Sequence, residues 1–303
     1  MIDVSPYKFN SSGGTGCPTT THVTHAPDIF RGKYRVDNEA LSSHDDAMRS
    51  SCTQQYLDDF ENLLQDLADR EIEPAAMIAE PLLGCGGQIV PPTGYLSGVF
   101  QRVQRLGGVC IADEVQIGFG RVGEKFWGFE LDEAMPDIVT MGKPIANGHP
   151  MGAVVTTREI ADAFNNGMEY FNTFGGNPVS CAAGLAVLDF VKQHNLTEHA
   201  QFLGTFLLAQ LQIIAADSPS IGHVRGKGLF CGIEFVVPES DRIPDSRAAR
   251  FIVDQLREEQ ILLSTDGPDN NVIKIKPPLV ISQHEIEYFL RRFKQAVQEL
   301  PML

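Results

Sequence analysis

The feature that most constrains the fold is a series of short, unbroken apolar runs separated by helices or long loops. The runs occupy residues 75–79, 109–112, 137–141 and 152–156, the third being the weakest. Apolar runs that are continuous rather than alternating are typical of strands in a parallel sheet buried on both faces. We therefore expect an α/β fold whose central sheet is mostly parallel and flanked by helices.

Charged residues follow three of these runs and predict a functional site. Glu80 follows the first run, Asp113 follows the second, and Lys143 follows the third after one glycine. In open α/β sheets, ligands bind beyond the carboxyl ends of the strands. Each charge alone could simply mark the place where the chain meets water. Taken together, they predict two carboxylates and one lysine in a single crevice.

The pattern changes near residue 220. This change predicts a large domain over residues 1–219 and a smaller C-terminal α+β domain over residues 220–303. The capping box that starts at Ser282 marks the beginning of the last helix. The periodicity and the turn residues predict helices over 93–106, 178–193 and 246–258, and strands over 229–237, 261–264 and 272–275.

Composition excludes several classes of function. The 303 residues contain 24 Lys and Arg against 39 Asp and Glu, a net charge of −15, which disfavours binding to nucleic acids or anionic membranes. The sequence contains no run of about 18 apolar residues, so no transmembrane helix is expected. The six scattered cysteines and the absence of a signal sequence predict reduced thiols and a cytoplasmic location. His22 and His25 have no companion at a ligand spacing, so no metal site is expected.

The charged residues alone fit more than one chemistry. Asp113 and Glu114 after a strand are similar to the acidic half of a nucleotide triphosphatase, but the chain has no G-x-x-x-x-G-K-[ST] loop. The dinucleotide-binding and nucleophile-elbow motifs are also absent. A lysine paired with an aspartate fits pyridoxal phosphate chemistry instead. In that chemistry a lysine holds the cofactor as a Schiff base, and a carboxylate keeps the ring nitrogen protonated.

Four longer segments make this interpretation specific. In order and spacing, they resemble the signature motifs of the class-III pyridoxal-phosphate-dependent aminotransferases. The resemblance covers essentially the whole chain and implies the type I fold of pyridoxal-phosphate-dependent transferases. The segments are 79–81 (AEP), 110–123 (CIADEVQIGFGRVG), 137–143 (DIVTMGK) and 173–178 (TFGGNP).

The resemblance implies a role for each residue of the cofactor site. Lys143 would form the Schiff base with pyridoxal 5′-phosphate and later carry a proton. Asp113 would pair with the ring nitrogen, Val115 would pack on the ring face, and Gln116 would approach the ring hydroxyl. Thr173 would reach the cofactor phosphate of a neighbouring subunit, which implies a homodimer with shared active sites.

The substrate side of the site is less uniform within the family. Glu80 would lie near the substrate, a small amine or amino acid. Many members place an arginine three residues before a Pro-Pro pair to bind a substrate carboxylate, and Lys274 occupies that position here. The segment 262–278 is similar to the subgroup of ethanolamine-phosphate and phosphohydroxylysine phospho-lyases. Alternatively, Lys274 and Lys276 merely alternate on an edge strand, where lysines are frequent.

Three functions therefore stay open at this stage. The first is amino transfer from an amine to a keto acid. The second is elimination of phosphate and ammonia from a phosphorylated amine such as phosphoethanolamine. The third is an inactive or partly folded fragment, because a phosphate-binding loop and a ring-stacking aromatic residue of the family would precede residue 1. From this comparison we expect an N-terminally incomplete chain.

Overall fold

The computed structural model describes residues 2–37, 41 and 46–300 and contains two four-stranded sheets in these ranges. The strands are β1 (Ala76–Ala79), β2 (Val109–Asp113), β3 (Ile138–Met141), β4 (Ala153–Thr156), β5 (Ile221–Lys227), β6 (Phe230–Phe235), β7 (Ser264–Asp266) and β8 (Val272–Ile275). The first sheet has the order β1-β2-β3-β4 and the second has the order β5-β6-β8-β7.

Helices connect the strands and cover the sheets. They are α1 (Pro6–Phe9), α2 (Asp46–Asp69), α3 (Tyr95–Arg105), α4 (Arg158–Phe164), α5 (Pro178–Gln193), α6 (Leu196–Ala216), α7 (Ser246–Glu258) and α8 (Gln283–Gln298). Local signals explain several of their ends. Asn177 caps α5 by accepting a hydrogen bond from the Ser180 N–H, and Ser282 and Glu285 form the predicted capping box of α8.

The first sheet is mostly parallel, as predicted. β1 pairs with β2 and β2 pairs with β3 in parallel, whereas β4 runs antiparallel to β3 at the edge. The parallel register places Asp113 opposite Thr140. Because β1, β2 and β3 are neighbours that run in the same direction, their carboxyl ends share one edge of the sheet.

The second sheet is antiparallel throughout and buries a large core. All six residues of β6 are buried, and α6, α7 and α8 pack against this sheet. The core includes Leu207 of α6, Ile252 of α7 and Phe293 of α8. This arrangement matches the predicted α+β character of the C-terminal part. The division into domains at residue 219 stays a prediction.

The structure also differs from the sequence expectations. Helix α6 and strand β5 lie in a stretch for which no element was predicted, and β7 begins at Ser264, where the predicted strand was to end. Strand β8 lies between β6 and β7, so the expectation of an edge strand around Lys274 is wrong. Lys276 lies one residue beyond the end of β8, so the two lysines do not alternate along one strand.

Helix α6 is long and apolar enough to cross a membrane, judged by length and composition, and is the one such helix in the described ranges. One side of it packs into the core of the second sheet through Leu203, Leu207 and Leu211. This buried side accounts for part of its apolar character, while Phe202 and Ile213 of the same helix are exposed.

Candidate active site

The shared edge of β1, β2 and β3 brings three charged side chains together, as the sequence predicts. Glu80 follows β1, Asp113 ends β2, and Lys143 lies two residues after β3. The charges of Asp113 and Lys143 both act on Glu80. Burial is the main cause that raises the pKa of Glu80, and the approach of Asp113 adds to it, while a hydrogen bond from the Gly84 N–H opposes the rise.

Lys143 has an unusual backbone conformation. Its φ angle is +39°, a left-handed value that costs a side-chain-bearing residue about 1–3 kcal/mol. Lys143 is the first residue of the short 3-10 turn Lys143–Ala146, and its side chain is exposed. A Cβ atom at the preceding Gly142 would lie 3.6 Å from both methyl groups of Val115, so Val115 packs beside the lysine's own turn.

Asp113 is oriented by its own strand end. The backbone N–H of Val115 donates to Asp113 Oδ1 at 3.0 Å, which fixes the carboxylate and engages one of its oxygens. Thr140 lies opposite Asp113 in the sheet, and its buried hydroxyl has no hydrogen-bond partner among the described residues. A buried hydroxyl of this kind normally has a partner. The second oxygen of Asp113 and the hydroxyl of Thr140 are therefore available to hydrogen-bond a bound group.

Gln116 joins the first sheet to the second. Its Oε1 accepts a hydrogen bond from Lys276 Nζ at 2.8 Å, and its Nε2 lies 3.8 Å from the sulfur of Cys85. A Cβ atom at Gly84 would lie 2.5 Å from Gln116 Nε2 and 2.9 Å from Glu80 Oε2. Glu80 and Gln116 therefore converge over Gly84, which has no side chain to obstruct them.

Lys276 is the site residue that the sequence analysis did not assign. Lys274, which it did assign to the substrate, pairs with Asp266 at 3.1 Å. Lys276 instead reaches Gln116 and also interacts electrostatically with Glu80. The signal in the sequence was a second lysine, two residues after Lys274 and directly before Pro277.

Thr173 is not joined to this group of residues within the chain. It is exposed in the turn before α5, where Asn172 Oδ1 accepts hydrogen bonds from the N–H groups of Phe174 and Gly175. The resemblance assigns Thr173 to the site of a neighbouring subunit, and its exposure is compatible with that role. The role itself stays a prediction.

A buried ionic network supports the loop that carries Gly84. Glu234 on β6 is fully buried and pairs with Arg225 on β5 at 2.5 Å and with Arg31. Arg225 Nε also donates to the carbonyl of Gly87 at 3.0 Å. Burial alone would raise the pKa of Glu234, but the two arginines outweigh it and hold the pKa below its usual value. The network thus fixes the Gly84 loop against the second sheet.

Possible metal ligands do not form a cluster in the described ranges. Asp59 lies 2.7 Å from His25, a carboxylate companion that the sequence spacing did not reveal. Groups of three or more His, Cys, Asp or Glu side chains that could hold a metal ion are absent from these ranges. All six cysteines are unpaired thiols.

Comparisons with known proteins agree with this geometry. Residues 18–297 match the family model described as aminotransferase class-III. The chain is 44% identical over 299 residues to a Drosophila melanogaster protein named alanine–glyoxylate aminotransferase 2-like, covering 98% of this chain and 59% of the relative. It is also 44% identical to ethanolamine-phosphate phospho-lyase homolog 1 of Caenorhabditis elegans, covering 94% of this chain and 61% of that protein.

A solved structure shows the same likeness. A phospholyase from Arthrobacter, in complex with phosphoethanolamine, is 35% identical and superimposes with a TM-score of 0.86, covering 99% of this chain and 70% of that one. The fold is therefore that of the pyridoxal-phosphate-dependent transaminases and their relatives. The chain belongs to the class-III aminotransferase family. It spans about three fifths of the curated relatives, 59% and 61% of their lengths.

The residues present fit the cofactor of this family, pyridoxal 5′-phosphate. The site has an accessible lysine amine, a carboxylate oriented at the neighbouring strand end, and a valine between them. The unpartnered Thr140 hydroxyl beside Asp113 adds polar capacity for a bound group. Lys143 and Asp113 would hold the two ends of the ring system, and Gln116 would lie at its edge.

Proposed function

We propose that this chain carries the core of a pyridoxal-phosphate-dependent enzyme that transfers the amino group of a small amine or amino acid to a keto acid. One observation carries the proposal: Glu80, Asp113 and Lys143 follow three adjacent parallel strands and interact at one edge of the sheet. A lysine and a carboxylate at neighbouring strand ends supply the two contacts that this cofactor chemistry needs.

Each residue has a distinct task in the proposed reaction. Bound at this edge, the cofactor supplies an aldehyde that captures amines and a ring that accepts electrons. Lys143 Nζ holds the cofactor and moves the proton of the substrate carbon. Asp113 keeps a proton on the ring nitrogen, Val115 fixes the ring face, and Glu80 lines the substrate side.

Covalent labelling tests the proposal directly. After incubation with pyridoxal 5′-phosphate and reduction with borohydride, peptide mapping is expected to find the pyridoxyl group on Lys143. The Lys143→Ala variant should lose the label. The matched control Lys294→Ala, which removes an exposed lysine from α8, should retain it. A label on another lysine that persists in Lys143→Ala would contradict the assignment.

Phosphate elimination is the second candidate. It is supported by the lysines at 274 and 276 ahead of Pro277 and by the likeness to proteins named as phospho-lyases. From phosphoethanolamine this reaction breaks the C–O bond to phosphate and the C–N bond. It consumes one water molecule and yields phosphate, ammonia and acetaldehyde. Phosphate release that needs no keto acid would favour elimination, whereas turnover only with a keto acid would favour amino transfer.

The proposal includes a homodimer in the cytoplasm. The dimer is supported by the exposed position of Thr173 and by exposed aromatic side chains around it, at Tyr170, Phe171 and Phe174. Apolar patches of this kind are typical of protein interfaces. The cytoplasmic location is supported by the unpaired state of all six cysteines.

A further inference from the structure

Lys276 holds a well-defined position at the substrate side of the site. Its Nζ donates to Gln116 Oε1 at 2.8 Å and lies 4.5 Å from the ring centre of Phe230. The next residue is fixed too, because Arg121 Nη1 donates to the carbonyl of Pro277 at 2.8 Å. These contacts hold the ammonium group where strand β8 leaves the second sheet and meets the first.

The positive charge of Lys276 is not neutralised by a direct ion pair. In the ranges that the structure describes, no carboxylate oxygen lies within 4.0 Å of Lys276 Nζ. The neighbouring Lys274 differs in this respect, because Asp266 pairs with it at 3.1 Å. Glu80 acts on Lys276 only at longer range. Of the two lysines, Lys276 therefore retains the capacity to bind an anion.

The electrostatic surroundings of Lys276 agree with this capacity. Burial lowers the pKa of Lys276 to about 8, and repulsion by Lys274 adds to the decrease, while Asp266, Glu80 and Cys85 oppose it. A partly buried ammonium group in such a place is stabilised by an anionic ligand. The same group is half-buried rather than enclosed, so a ligand can reach it.

We propose that Lys276 binds the terminal phosphate of a phosphorylated amine substrate, while Lys274 forms an ion pair with Asp266. The inference rests on the proposed function, because the amine of that substrate is handled by Lys143. A phosphate monoester carries about −1.5 to −2 charge at neutral pH and has three strong acceptor oxygens, so an ammonium group without an ion pair attracts it more strongly than it attracts a carboxylate. Lys276 would therefore favour amines whose far end carries a phosphate over amines whose far end is uncharged.

Calorimetric titration of the whole chain with three related amines tests this role. Phosphoethanolamine carries a phosphate, β-alanine carries a carboxylate, and ethanolamine carries no negative charge. The wild-type chain is expected to bind phosphoethanolamine most tightly. Lys276→Met should weaken phosphoethanolamine binding by roughly 10- to 100-fold, the loss of one charge-assisted hydrogen bond. Binding of ethanolamine should stay within about twofold.

Two variants provide the controls. Lys276→Arg keeps the charge and should stay within about threefold of the wild type for phosphoethanolamine, which excludes a loss caused by misfolding. Lys274→Met, which removes a lysine two residues away that pairs with Asp266, should also stay within about threefold. Equal losses in Lys274→Met and Lys276→Met would overturn the assignment, as would a wild-type chain that binds phosphoethanolamine no better than ethanolamine.

The same titrations separate this inference from the proposed function. They are run with and without pyridoxal 5′-phosphate, and the label on Lys143 is mapped in parallel. A chain that never acquires the label refutes the proposed function. The ratio of phosphoethanolamine to ethanolamine affinity still decides the role of Lys276 in that case. A ratio that does not change in Lys276→Met under either condition refutes the inference alone.

Discussion

The two sheets of this protein bury their apolar side chains to very different extents. In the second sheet, every residue of β6 is buried, and α6, α7 and α8 close a continuous core around it. In the first sheet, the edge strand β4 leaves Val154 and Val155 exposed at 66% and 58%. The following segment, through α5, exposes further apolar residues, including Phe171, Val179 and Leu185.

The difference shows that apolar residues in the two regions of the chain have different surroundings. Around β6 it stabilises the fold of the chain itself, because the apolar area is removed from water within the chain. Around β4 and α5 the same residue types remain in contact with water. Three of the exposed aromatic residues, Tyr170, Phe171 and Phe174, are close to Thr173 in the sequence. The comparison supports the proposed homodimer, in which the exposed surface has a function that the buried core does not.

The largest expected effect contrasts two phenylalanines. Phe293 is 0% exposed in the second core, and Phe171 is 76% exposed near Thr173. Phe293→Ala should lower the free energy of unfolding by about 3–5 kcal/mol, because it leaves a cavity. Phe171→Ala should change the same free energy by less than about 0.5 kcal/mol. Urea denaturation at a concentration where the chain is monomeric measures the free energy of unfolding of both variants. Equal decreases in the two variants would contradict the difference between the two regions.

A smaller effect is expected at the ionic network that joins the regions. Glu234→Gln removes a buried charge and leaves Arg225 and Arg31 without their carboxylate, which should cost about 3 kcal/mol at neutral pH. The exposed control Asp66→Asn, which breaks an ion pair with Arg70, should cost less than about 0.5 kcal/mol.

The pH dependence of unfolding gives an independent check of this network. Since the pKa of Glu234 in the folded chain lies below its usual 4.5, its contribution to stability is present above that pH. It is lost as the pH falls through the folded pKa. The difference between the wild type and Glu234→Gln should therefore shrink on acidification. If the stability difference between the wild type and Glu234→Gln stayed constant down to about pH 3, Glu234 would stabilise the fold through packing rather than through its charge.

The smallest change in the free energy of unfolding is expected for a substitution on the exposed apolar surface. Phe171→Glu places a charge at this surface and should leave the free energy of unfolding of the monomer nearly unchanged, while it reduces the dimer fraction. Leu262→Glu, at an exposed position in the second region, is the matched control and should leave the dimer fraction unchanged. Sedimentation velocity measures both, and a wild-type chain that is monomeric at all accessible concentrations would exclude the proposed dimer.

Local signals in the sequence predicted much of this fold. The helix Ser246–Glu258 and the strand Val272–Ile275 have the bounds that the periodicity predicts, and the capping box at Ser282 begins the last helix. The ends of β1, β2 and β3 were also predictable, because the first three apolar runs stop at a charged residue or a glycine. The convergence of Glu80, Asp113 and Lys143 follows from the parallel order alone.

Features that depend on distant partners were missed. Strand β4 is antiparallel because of its pairing with β3, which no local pattern records. Arg31 and Glu234 are separated by 203 residues, so their ion pair exists only in the folded chain. The role of Lys274 at the substrate stays a prediction, but its contact with Asp266 was missed for the same reason. Asp266 engages Lys274, and this contact across two strands leaves Lys276 as the residue that faces Gln116.

Gly84 has a consequence for any attempt to alter this site by directed evolution. A Cβ atom at this position would lie 2.5 Å from Gln116 Nε2 and 2.9 Å from Glu80 Oε2, so the ends of both side chains would have to move. Every non-glycine codon at position 84 would therefore disturb two site residues at once. A mutational library that aims at new amines should keep codon 84 fixed and vary positions 85 and 276, whose side chains contact Gln116.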